Sequence, residues 1–128
     1  MPRLVLPRLV IAAACAALAG PAAAASELAG TWLRDDGNAR VRIAPCGDKT
    51  CATNLWIGDT SKGEEVGDRL VMTLARQRDG TFAGSAYDPK RDRTFSMTIT
   101  ARTGELITRG CILGRLICRD VNWRAAGR

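Results

Sequence analysis

Histidine is missing from all 128 residues. That excludes Ser-His and Cys-His nucleophiles and any imidazole metal ligand. Aromatic residues are scarce. Trp32, Trp56, Trp123, Tyr87, Phe82 and Phe95 are the whole set, spread along the chain. Nucleic-acid binders stack bases on aromatic platforms gathered on one face. These six read instead as core and barrel-closing residues, and nucleic acid is excluded as a partner. No apolar run reaches the roughly 20 residues of a transmembrane span. The length leaves no room for a second domain.

Acidic residues are outnumbered, 13 against 19 basic, for a net charge of +6. Arg3 and Arg8 fall in an N-terminal leader, so residues 26–128 carry 17 basic and 13 acidic side chains. A mild positive excess favours anionic surfaces, and weak contact with an anionic envelope surface is expected.

Residues 1–25 read as a signal peptide. Arg3 and Arg8 form its positive region and Leu9 to Ala19 its apolar region. Pro21 interrupts the run, and Ala23-Ala24-Ala25 supplies the small residues that signal peptidase needs. Cleavage near Ala25 is expected, with a periplasmic or secreted location. A membrane anchor is the other reading, but the stretch is short for a span. Lipid attachment at Cys15 would need a better motif than Ile11-Ala12-Ala13-Ala14.

Four cysteines follow the leader: Cys46, Cys51, Cys111 and Cys118. An even number in an oxidising compartment reads as disulfides. Zinc sites favour tighter knuckles, so no metal and no cofactor are expected. The pairs Cys46–Cys51 and Cys111–Cys118 each bracket a hairpin, which brings both partners within bridging distance.

The dominant period is two. Phe95, Met97, Ile99 and Ala101 alternate with Thr94, Ser96, Thr98 and Thr100. Ala39, Val41 and Ile43 alternate with arginines, and Phe82, Gly84 and Ala86 with Ala83, Ser85 and Tyr87. Such alternation buries one face and wets the other. Asp36-Gly37, Asp79-Gly80 and Thr103-Gly104 supply the turns. The strands predicted are 30–35, 38–45, 51–58, 68–76, 81–87, 93–101, 105–112 and 116–124. Arg69 to Arg76 also fits two turns of helix, although Leu70, Met72 and Leu74 favour a strand. The fold class is all-β: an eight-stranded antiparallel up-and-down barrel, closed so as to leave no edges.

Gly30-Thr31-Trp32 at the start of the first strand resembles the Gly-x-Trp signature of lipocalins and the wider calycin group. Trp123-Arg124 resembles the late arginine that packs across that tryptophan. The resemblance implies barrel closure by Trp32 and Arg124, with the guanidinium over the ring. A broader resemblance covers nearly all of residues 26–128. It runs through Gly30-Thr31-Trp32, Ala39-Arg40-Val41-Arg42-Ile43, Pro45-Cys46-Gly47, Cys51, Gly84, Tyr87-Asp88-Pro89, Arg109-Gly110-Cys111, Cys118-Arg119 and Trp123-Arg124. In these the chain is similar to the small exported bacterial proteins grouped as domain of unknown function 2147. Ala52 stands where that family carries glycine, and Phe95 where it often carries tyrosine. The resemblance implies a lipocalin-like barrel in the envelope and no catalytic residue.

Most aspartates fall at turns, where such residues hydrogen-bond their own backbone. Glu64 and Glu65 are expected to face solvent. Asp120 stands within a strand near Arg119 and Arg124 and reads as half of a cross-strand ion pair. No catalytic set emerges, and the chain is not expected to be an enzyme. Eight strands enclose room for packed side chains or for one small ligand. A small apolar or amphipathic ligand would lie against Met72, Phe82, Gly84, Phe95, Met97 and Ile99. The alternative is a filled barrel that serves as an envelope adaptor. A mostly enclosed apolar void of a few hundred Å³ would favour the first, and a filled interior beside an exposed apolar patch the second.

Overall fold

The computed structural model describes residues 21–127. Most of the expected leader, including Arg3, Arg8 and Cys15, lies outside the described residues. One short helix, α1 (Pro21–Leu28), precedes eight strands. These are β1 (Gly30–Arg34), β2 (Ala39–Cys46), β3 (Lys49–Ile57), β4 (Arg69–Arg76), β5 (Phe82–Asp88), β6 (Arg93–Arg102), β7 (Glu105–Ile112) and β8 (Ile117–Ala125). The segment open to a helical reading, β4, is a strand. Each strand pairs antiparallel with its neighbours, and β1 with β8 closes the barrel. Both expected disulfides are present, Cys46–Cys51 and Cys111–Cys118.

Up-and-down connection places the turns alternately at two ends. The β1–β2 turn, the 58–68 loop, the β5–β6 turn and the β7–β8 turn share one end, the mouth. Helix α1 and the other three turns share the opposite end, the base.

The base is filled. Ala24 and Leu28 of α1 are fully buried and join one cluster with Trp32, Leu74, Phe82 and Ile99. The Trp32 indole N–H donates to the Leu28 carbonyl at 3.0 Å. An Arg76–Glu27 ion pair ties α1 to β4, and the Arg76 guanidinium lies 5.7 Å from the centre of the Phe82 ring. A helix here departs from the signal-peptide reading of residues 1–25. The peptide bond between Ala25 and Ser26 falls inside α1.

These contacts correct the expected closure. Arg124 is exposed and pairs in register with Leu33 and Glu105. Its neighbour Trp123 pairs with buried Leu106 and faces inward. Successive strand residues face opposite sides, so Arg124 stands on the outer wall, away from Trp32. The guanidinium that meets an aromatic ring at the base is that of Arg76.

The even alternation fails once, in β3. The β2–β3 register shifts between Arg40 and Val41, and residue 55 is the extra one. A bulge of this kind moves the following residues to the other face. Ile57 and Asn54 therefore pair with inward residues, while Leu55 and Trp56 are both exposed. Trp56, expected in the core, is 48% exposed. Tyr87 is also at the surface, and its hydroxyl donates to Asp92 at 2.9 Å.

Candidate ligand site

The upper half of the barrel holds a cavity of about 230 Å³. Its floor and walls are Trp32, Val41, Ile43, Ala52, Leu70, Met72, Met97, Ile99 and Leu106. Strand parity explains the set: alternate residues of β1, β2, β4, β6 and β7 point inward. Polar groups stand higher. Asn54 and Thr108 line the wall, and the Trp123 N–H donates to the Thr108 hydroxyl at 3.0 Å. Arg34, Glu64, Asp68, Arg69, Asp88 and Arg91 form the rim.

The 58–68 loop lies across this rim and is fastened on three sides. Asp59 exchanges hydrogen bonds with Asn38 of the β1–β2 turn, at 2.6 and 3.1 Å. Glu64 takes both ends of the Arg34 guanidinium, at 2.6 and 2.9 Å. Lys90 of the β5–β6 turn reaches Glu65 at 3.0 Å and Asp68 at 3.2 Å, and Arg91 donates to the Gly63 carbonyl at 3.0 Å. Charge-assisted, bidentate pairs of this kind are the strong members of their class.

Two of the rim carboxylates, Glu64 and Asp68, are held ionised. Arg34 hydrogen-bonds Glu64 and keeps its carboxyl below the ordinary value, against the burial that works to raise it. Burial works to raise Asp68 too, but the Glu65 amide and Lys90 outweigh it and the net shift is downward. Glu64 in turn raises Arg34 above the ordinary arginine value. None of these groups is poised near neutrality for acid–base work.

Of the six expected ligand residues, Met72, Met97 and Ile99 line the cavity. Phe82 is fully buried in the base cluster, below the cavity. Phe95 packs against the core from the mouth side, with its ring 3.2 Å from where a Cβ on Gly110 would stand. Gly84 makes no room for a ligand. A Cβ there would fall 1.8 Å from the Thr73 carbonyl oxygen, so glycine is required by the close approach of β4 and β5. Asp120 is half of a cross-strand pair as expected, and its partner is Arg109, at 2.7 and 2.9 Å.

The charged rim was missed. Parity alone carried part of it: Arg34 follows Trp32 by two residues on the same strand face, and Asp88 follows Ala86. Glu64, expected in solvent, is fixed by Arg34, thirty residues distant in sequence. Nothing local to the loop announces that pairing.

The architecture is that of a lipocalin-like barrel: eight antiparallel strands, closed on themselves, with one filled end and one open end. Residues 30–125 match the family model described as an uncharacterized protein conserved in bacteria, DUF2147. The chain belongs to that family. No curated protein and no solved structure matches it.

Proposed function

We propose that this is an exported, non-enzymatic barrel of the bacterial envelope that holds one small apolar or amphipathic molecule. The observation that carries the reading is the division of the interior. The base is packed solid, while the mouth half keeps an apolar cavity of about 230 Å³ beneath a ring of charges. Ligand pockets are mostly apolar with a few polar groups that fix orientation. An amphipathic molecule would lay its apolar part against Met72, Met97, Ile99 and Leu106. Its polar end would stay level with Arg34, Thr108 and Asn54. The volume suits a short chain or a single ring system, smaller than a drug-sized ligand. The engaged, ionised carboxylates support a binder over a catalyst.

Native mass spectrometry of protein purified from its own envelope tests the reading. A small molecule that co-purifies consistently supports it. Ala52→Trp is the matching variant, since Ala52 lines the cavity. It should abolish uptake of a small fluorescent apolar probe that fits the cavity, while the fold stays intact by circular dichroism. An unliganded barrel that takes up no probe overturns the reading.

A further inference from the structure

We propose that the β7–β8 hairpin is a docking arm whose tip seats on the surface of an anionic lipid bilayer. Its turn runs Ile112-Leu113-Gly114-Arg115-Leu116-Ile117. Ile112 is 46% exposed, Leu113 69%, Leu116 85% and Ile117 54%. Four exposed aliphatic side chains at one turn form a patch that calls for a covering surface.

The hairpin stands beyond the barrel rim. β1 pairs with β8 only over Trp123 to Ala125, and the Asp35 amide adds a bond to Asn122. Among the described residues, Ile117 to Val121 have β7 on one side and no strand on the other. The Cys111–Cys118 disulfide crosses this extension one residue pair short of the turn and holds its two strands together. Ile112 and Ile117 pair in register and share the strand face of Leu106, Thr108 and Trp123, which line the cavity. On that face Gly110, opposite Arg119, lies between the aliphatic pair and the cavity wall.

Leu113 adds a second, independent sign. Its φ is +53°, in the left-handed region that costs an L-residue about 1–2 kcal/mol. Asn or Gly would hold that turn at lower strain. A strained leucine, mostly in solvent, adds nothing to folding, and such strain gathers where a segment has another use.

Charge selects the occupant. From Cys111 to Arg119 the chain carries Arg115 and Arg119 and no acid. Asp120, next in line, is held by Arg109, and Asp36, which also feels Arg119, is held by Arg34. Aliphatic side chains at a convex tip with flanking arginines suit the headgroup boundary of an anionic membrane. Protein interfaces favour aromatic anchors, and this tip has none.

Co-sedimentation of the full mature protein with vesicles tests the proposal. Vesicles of phosphatidylethanolamine and phosphatidylglycerol, three to one, should bind it. Vesicles of phosphatidylcholine alone should bind it at least tenfold less. Leu113→Asn and Leu116→Ser should each weaken binding about tenfold. Arg115→Ala should weaken it about fivefold, and added salt should erase that difference. Leu113→Asn should melt at or above the wild-type temperature, so its loss of binding is not a loss of fold. Ala52→Trp, which blocks the cavity, should bind vesicles as wild type does, which separates docking from the cavity's occupant. Equal binding to both vesicle types, or none to either, overturns the proposal. So does self-association by sedimentation velocity that Leu116→Ser abolishes without any vesicle binding, which would assign the tip to a second copy.

Discussion

Arg34 and Glu64 meet fork to fork over the barrel mouth, with both guanidinium ends on both carboxylate oxygens at 2.6 and 2.9 Å. Arg34 is anchored in β1, two residues above Trp32, while Glu64 rides on the 58–68 loop. The pair therefore fastens a loop to the rigid wall. The Arg34 side chain is 14% exposed and that of Glu64 34%, so solvent screens the contact in part.

This pair should respond to acid. Arg34 holds the Glu64 carboxyl below its ordinary value. A carboxyl lowered in the folded state adds stability that is complete above its unfolded pKa, near 4.3, and is lost as pH falls through the folded value. Arg34 stays charged throughout. The loop should therefore be fixed at neutral pH and loosen in acid, as pH falls below the ordinary glutamate range. Backbone order parameters for residues 59–67, measured near neutrality and in acid, check this. Glu64→Gln should loosen the loop at neutral pH. A loop equally ordered in the variant and in acid would remove the latch.

The base predicts a different sensitivity. Leu28 is fully buried where α1 meets the barrel, and its carbonyl accepts the Trp32 indole N–H. Leu28→Ala should cost about 2–5 kcal/mol, the range for a leucine truncated in a packed core. Trp32→Phe keeps most of the ring and loses the hydrogen bond, for about 1 kcal/mol plus a small packing loss. Denaturant unfolding of both variants measures the two effects. A Leu28→Ala protein as stable as wild type would mean that α1 is not part of the folded domain.

The barrel was legible in the sequence because its signals are local. Phe95, Met97 and Ile99 alternate with threonine and serine, and Asp79-Gly80 marks a tight turn within two residues. The disulfides were legible for the same reason, since each closes one hairpin. What sequence concealed depends on distant parts meeting. The β3 bulge turns Trp56 outward through its register with β2. Gly84 looked like space for a ligand, but its missing Cβ is demanded by a neighbouring strand's carbonyl. Arg124 carried a family resemblance, and only the β1–β8 register shows that it faces outward. The charged rim needed loop 58–68 and the β5–β6 turn brought to the same end.

Arg124 and Arg76 offer a direct contrast. Arg124 is exposed on the outer wall, and Arg124→Ala should change stability by no more than about 0.5 kcal/mol. Arg76 meets both Glu27 and the Phe82 ring. Arg76→Ala should cost about 1 kcal/mol, the sum of an exposed ion pair and a surface cation–π contact. Arg76→Lys should restore only part of it, because an ammonium cannot lie flat on the ring and hold the carboxylate together. Thermal melts of the three variants, side by side, give the ranking. A larger loss from Arg124 than from Arg76 would reinstate Arg124 as the closing residue.

Thr50 is the weak point of the core, and removing its hydroxyl should strengthen the protein. It stands in β3 opposite Pro45 of β2 and Met72 of β4. The residue is fully buried, and its side-chain oxygen has no hydrogen-bond partner among the described residues. Proline opposite it has no N–H to offer. A buried polar group left unsatisfied costs about 1–3 kcal/mol. Valine has nearly the same shape, so Thr50→Val removes the cost and keeps the packing. The expected gain is about 1 kcal/mol, which for a domain near 100 residues raises the melting temperature by roughly 4–8 °C. Thr50→Ser is the informative companion. It keeps the hydroxyl, loses a methyl group and should destabilise. If Thr50→Val melts below wild type, the hydroxyl has a partner after all, and water bound inside the base is the first place to look.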